Sequence, residues 1–180
     1  MRNKLLGFLV TLVAGLLLVA PALGQQRQFP SCEETDGFHR LDFWVGEWDV
    51  FTGDKQAGTN RIEKILNGCA ILEHWTGAGG SEGKSLFYYS SATGKWKQVW
   101  ITQQATRPGG MKEKELTKEF EDGGVRFQGE ISLPSGNTYL DRTTLTPLEE
   151  GKVRQVIEVS RDGGKDWQIT FDAVYVPTKP

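Results

Sequence analysis

Short, even punctuation by turn residues is the feature that most limits what this chain can become. Turn signals fall at Gly53-Asp54, Asn67-Gly68, Gly77 to Gly83, Ala92-Thr93-Gly94, Pro108-Gly109-Gly110, Asp122-Gly123-Gly124, Pro134-Ser135-Gly136, Glu149-Glu150-Gly151 and Asp162-Gly163-Gly164. Glycine supplies positive φ at such points, and Asp, Asn and Ser bond their own backbone there. The runs between them are about 8–12 residues long, alternate with period two, and are rich in aromatic and β-branched residues. No stretch after residue 40 carries a sustained helical stripe.

The alternation predicts strands over 41–52, 58–66, 69–77, 83–90, 95–104, 111–120, 124–133, 137–146, 152–160 and 166–177. Residues 111–120, MKEKELTKEF, are a charged helix by propensity alone. Their short-looped neighbours make them a strand. The fold class is therefore all-β. A meander of about ten antiparallel strands closes most economically into an up-and-down barrel, which leaves no unpaired edge; a sandwich is the alternative closure.

Each strand offers two faces. In 95–104, Lys95 and Lys97 belong outside, which sends Trp96, Gln98 and Trp100 inside. In 69–77, Ile71, Glu73 and Trp75 share one face and Leu72, His74 and Thr76 the other. In 137–146, Tyr139, Asp141 and Thr143 oppose Leu140, Arg142 and Thr144. Gln98 between two tryptophans points to a cavity with polar handles, or to a single satisfied buried amide.

The N-terminus reads as a cleavable secretory signal over 1–24. Arg2 and Lys4 precede an apolar run from Leu5 to Ala20, and Pro21-Ala22-Leu23-Gly24 closes it with small residues. The run is shorter than the ~20 residues of a spanning helix. Cleavage leaves a lead segment over 25–40 and a barrel domain over 41–178, a length for one domain. Export to the periplasm or beyond is the expected destination. The whole-chain charge is −2, and losing Arg2 and Lys4 makes it more acidic. With no basic stripe, neither nucleic acid nor an anionic membrane is an expected partner. Cys32 and Cys69 are the two cysteines. In an oxidising compartment an even count favours one disulfide, tying the lead to the third strand; two buried thiols are the other reading.

Three local patterns invite sharper chemistry. Ala78 to Ser85 fits a loose phosphate-binding loop, but that mechanism needs a helix next, and Leu86-Phe87-Tyr88-Tyr89 reads as a strand. Ser160-Arg-Asp162-Gly163-Gly164-Lys-Asp-Trp167 resembles the Asp-box hairpin of sialidases. A single copy makes no propeller, so Asp162 is expected to bind turn amides while Trp167 packs. Metal ligation would rest on His39 and His74, which lack partners at ligand spacing. A haem needs one histidine, but His74 is on the face opposite Glu73 and Trp75. No metal and no cofactor are expected, and no nucleophile elbow occurs.

Phe43-Trp44-Val45-Gly46-Glu47-Trp48-Asp49-Val50 opens the first predicted strand. Its Gly46-x-Trp48 core resembles the signature of lipocalin-like (calycin) barrels. Together with 68–77, 94–100, 144–148 and 153–155, it resembles exported bacterial proteins related to the DUF1579 family. The resemblance implies a calycin-type barrel in which the tryptophan plugs the closed end, and it implies no established activity. Nitrobindin-like relatives bind haem through a late histidine, and this chain has none after His74. The resemblance also implies an arginine near Trp48 or Trp44, a place for Arg142 or Arg154.

The leading expectation is an exported barrel binding a small, partly apolar ligand through Glu73, Trp75, Gln98, Trp100, Arg142 and Gln155. The tryptophans supply flat walls, the glutamines orient polar groups, and Arg142 faces an anion with Glu73 as its balance. No catalytic set is assigned. An enzyme using Glu73 as acid or base is the second reading. A barrel acting through its surface without a ligand is the third.

Overall fold

The computed structural model describes residues 29–178. The expected signal segment and the start of the lead lie outside the described residues. The described chain is a closed antiparallel barrel of ten strands in meander order. These are β1 (Gly46–Thr52), β2 (Lys55–Ile65), β3 (Ala70–Gly77), β4 (Glu82–Ser90), β5 (Lys95–Thr102), β6 (Met111–Glu119), β7 (Val125–Ser132), β8 (Thr138–Pro147), β9 (Val153–Ser160) and β10 (Gln168–Pro177). Each strand pairs with its chain neighbours, and β1 closes on β10 through Trp48 to Phe51. Residues 111–119 are a strand, as their neighbours require.

Three of the boundaries that differ from the alternation pattern have a clear local cause. Residues 41–45 are not strand: a 3-10 turn over Asp42–Trp44 carries the chain across the barrel end and buries Trp44. The strand starts only at Gly46, whose φ of 153° favours glycine. β2 starts earlier, at Lys55, because Gly53-Asp54 is a tight hairpin turn pairing Thr52 with Lys55. β10 starts later, because the loop over 161–167 is organised by Asp162. Its carboxylate accepts the backbone N–H groups of Lys165 (3.0 Å) and Asp166 (3.1 Å), and the Trp167 indole donates to the Gly164 carbonyl at 3.1 Å. The turn reading of that motif holds.

Inward positions two residues apart stack in three layers along the barrel. The first is an apolar plug built on Ile62, Ile71, Phe87, Trp96, Phe127 and Leu145, capped by Leu41, Trp44 and Trp48. Phe87 meets Trp44 and Phe127 edge-on at 5.3 and 5.4 Å. Aromatic burial and edge-to-face packing make this the end that holds the barrel together. The second layer is polar: Asn60, Glu73, Ser85, Gln98, Lys114, Thr143 and Gln155 are all buried. The third layer, at the other end, carries Trp75, Trp100, Ile157 and Phe171, all half-buried.

The lead segment seals the plug end. Cys32 is bonded to Cys69 across a separation of 37 residues, with Cα atoms 5.1 Å apart. Cys69 immediately precedes β3, so the bridge joins lead to third strand as expected. Behind it, Trp96 donates its indole N–H to the Gly37 carbonyl at 2.7 Å, and Phe38 packs on Tyr89. Such a staple fits an oxidising, non-cytoplasmic setting. Among the described residues no helix is long and apolar enough to cross a membrane.

Candidate functional site

The polar and outer layers enclose a cavity of about 210 Å³ lined by Glu73, Trp75, Gln98, Trp100, Lys112, Lys114, Thr143, Gln155, Ile157, Phe171 and Tyr175. Its walls follow from strand alternation and from two glycines. Gly58 and Gly83 lie under the rings of Trp75 and Trp100, where a Cβ would overlap each ring. The glycines therefore let both indoles lie flat against the wall. Phe171 meets Trp75 edge-on at 6.1 Å.

The floor carries one continuous hydrogen-bonded chain. Gln98 donates to Ser85 Oγ at 3.1 Å, and Ser85 donates to Glu73 Oε2. Asn60 donates to Glu73 Oε1 at 2.8 Å and approaches the Tyr175 hydroxyl at 3.4 Å. Tyr175 in turn donates to Gln155 Oε1 at 2.9 Å. Glu73 is 4 % exposed and has neutral partners on both oxygens. Burial pushes its carboxyl above the ordinary value, against the Ser85 and Asn60 bonds and the charge of Lys114. Burial and the neighbouring Glu73 push the Tyr175 hydroxyl far up as well.

Opposite stands a charge group. Asp141 is 0 % exposed and lies between two ammonium groups, Lys112 at 2.5 Å and Lys114 in direct contact. Lys114, 6 % exposed, also donates to Thr143 Oγ1 at 2.6 Å. Burial pulls the Lys114 ammonium below its ordinary value, opposed by the charge and hydrogen bond of Asp141. Two carbonyl oxygens in the polar layer, Gln98 Oε1 and Asn60 Oδ1, are buried with no partner within the protein. Buried acceptors are rarely left so.

Of the six residues expected to form the site, Glu73, Trp75, Gln98, Trp100 and Gln155 line this cavity. Arg142 does not. Its guanidinium faces outward, bonded twice to Glu158 at 2.7 and 2.8 Å and stacked on Trp167 at 3.8 Å. The reason is register: Leu145 belongs to the plug, which turns Asp141 and Thr143 inward and Arg142 out. Arg154 also faces outward, paired with Asp172 at 2.6 and 2.8 Å, and neither arginine reaches Trp48 or Trp44. Those rings pack on Tyr175 at 6.1 Å instead. His74 is on the outer wall, bonded to Glu63 and Lys84 at 2.8 Å each, so it presents no ligand to the cavity. Ala78 to Ser85 runs from a turn into β4, with no helix to receive a phosphate.

Sequence reasoning missed Lys112, Lys114, Thr143, Ile157, Phe171 and Tyr175. The signal for the lysines was Leu116: its burial in the plug places Lys114 and Lys112 on the same inward face. No family model matches the chain, and no curated protein is significantly similar to it.

The raised Glu73 carboxyl has a consequence for stability. The folded state holds this proton more tightly than the unfolded state, so the contribution is greatest at acid pH. It is lost as pH rises above the ordinary value of 4.5. Glu73→Gln, which keeps the amide-sized shape without the charge, is expected to be more stable than the parent at pH 7. The gain should vanish toward pH 4. Urea unfolding at the two pH values checks this; an equal loss at both would contradict it.

Proposed function

We propose that this protein is an exported barrel that holds one small, partly apolar ligand in its cavity. The observation that carries the reading is Gln98: a buried amide whose carbonyl has no protein partner, set in a cavity between two flat tryptophans. A core filled only for stability would place an apolar side chain there, because an unmet buried acceptor costs about 1–3 kcal/mol. Apolar walls with a few convergent polar groups are the usual composition of a small-molecule site. The disulfide supports export. The Gly46-x-Trp48 start of β1, with Trp48 buried in the plug, and the closed meander support a lipocalin-like, DUF1579-related assignment.

The acid/base reading of Glu73 has its raised carboxyl in its favour. Against it, Asn60 and Ser85 occupy both oxygens, so the binding reading is preferred. Native mass spectrometry of protein purified from its own compartment tests it. The parent is expected to carry a small molecule that is lost from Trp100→Ala, since deleting that wall opens the cavity. A parent that is always free of any bound mass, whatever the growth medium, contradicts the proposal.

A further inference from the structure

The cavity's charges can be counted. Asp141 contributes one negative charge, and Lys112 and Lys114 contribute two positive ones in contact with it. The other titratable groups lining the cavity are Glu73 and the neutral Tyr175 hydroxyl, which donates to Gln155. Neither Glu73 oxygen bonds a lysine; both are held by the neutral side chains of Asn60 and Ser85. Lys114 has three N–H groups, and the structure accounts for two, on Asp141 and Thr143. The lysine end of the cavity therefore has one positive charge beyond what Asp141 balances, and one unassigned donor. A buried ammonium without a full set of partners is costly.

Size and shape narrow the occupant. An engineered apolar cavity of about 150 Å³ binds benzene. The present cavity, at about 210 Å³, takes a single ring, or a chain of similar bulk, with one or two polar substituents. Trp75, Trp100 and Phe171 present faces and edges to such a ring. Gln98 Oε1 accepts one further hydrogen bond, so a donor on the body of the ligand is accommodated next to the anion.

Resting on the reading of this cavity as a ligand site, we infer that its occupant is a monocarboxylate of single-ring size, its carboxylate set on Lys114 and its ring between Trp75 and Trp100. Glu73 favours this because its burial, with neutral partners on both oxygens, raises its carboxyl above the ordinary value; holding its proton, it adds no negative charge to repel the anion. Ammonium and carboxylate then satisfy one another away from water.

The test is calorimetric titration of the disulfide-intact protein, refolded from denaturant to strip anything carried over, with benzoate and with benzamide, its neutral counterpart of the same shape. Benzoate is expected to bind about tenfold tighter or more, the ratio that a charge-assisted hydrogen bond supplies. In Lys114→Met that preference is expected to disappear while benzamide binding persists. Lys112→Gln, on the half-exposed rim, is the second variant; removing its charge leaves Lys114 and Asp141 balanced, so the preference should fall there too. Benzamide binding as tightly as benzoate overturns the carboxylate assignment and leaves the cavity reading standing. A preference unchanged in both variants overturns the role of the lysines. Failure of both compounds to bind at millimolar concentration overturns the inference and the ligand-site reading together.

Discussion

Replacing Asp141 by Ala is expected to remove about 3–5 kcal/mol of folding stability, among the largest effects any single change in this barrel should have. The carboxylate is fully buried and holds two ammonium groups. Lys112 reaches the rim and can recover water. Lys114 cannot, because it is itself 6 % exposed and its remaining partner is a neutral threonine. The cost is therefore that of an uncompensated buried charge, not of a lost contact. A double variant, Asp141→Ala with Lys114→Met, should recover most of it, since replacing a buried ion pair by apolar side chains is often neutral. Denaturant unfolding followed by tryptophan fluorescence measures both. A single-variant cost under about 1 kcal/mol would mean that the ammonium reaches solvent.

The second large effect is at the other end. Cys32→Ser with Cys69→Ser opens a loop whose ends are 37 residues apart. Chain entropy alone makes that bridge worth about 4 kcal/mol, or roughly 8–15 °C in Tm for a domain of this size. The loss should be accompanied by release of the lead segment. Phe38 and the Gly37 carbonyl are held against Tyr89 and Trp96, and Trp96 becomes accessible to quencher once they leave. A Tm unchanged on removing the bridge would show that the lead is held by its packing alone.

Much of the barrel was legible because period-two alternation and turn residues are local signals. The ten strands and five of the cavity residues follow from them, and the disulfide follows from an even cysteine count in a chain read as exported. What was not legible depends on register between strands, which no single strand encodes. Arg142 illustrates this. Within 137–146 either face reads as inward, and an arginine is the obvious anion handle; only the burial of Leu145 in the plug decides that Asp141 and Thr143 turn in. The same holds for MKEKELTKEF, where charge argues for solvent on both faces. There the plug's demand for Leu116 pulls Lys112 and Lys114 inside, and Asp141 on β8 makes that tolerable. The cationic group facing the cavity is thus a lysine pair sharing one carboxylate, on a strand whose sequence is charged on both faces. The start of β1 fails for a different reason: 41–45 carries strand-like residues, yet the barrel end needs a cap, and Trp44 serves better there than in a ladder.

The cavity claim is tested most directly by the indole N–H signals of the six tryptophans. Trp75 and Trp100 line the cavity, whereas Trp44, Trp48 and Trp96 lie in the plug and Trp167 stacks outside on Arg142. On titration with benzoate, the proton–nitrogen NMR signals of Trp75 and Trp100 are expected to shift and saturate together, with the other four unmoved. Saturable shifts at Trp167 or in the plug, with Trp75 and Trp100 unchanged, would contradict a ligand site in this barrel.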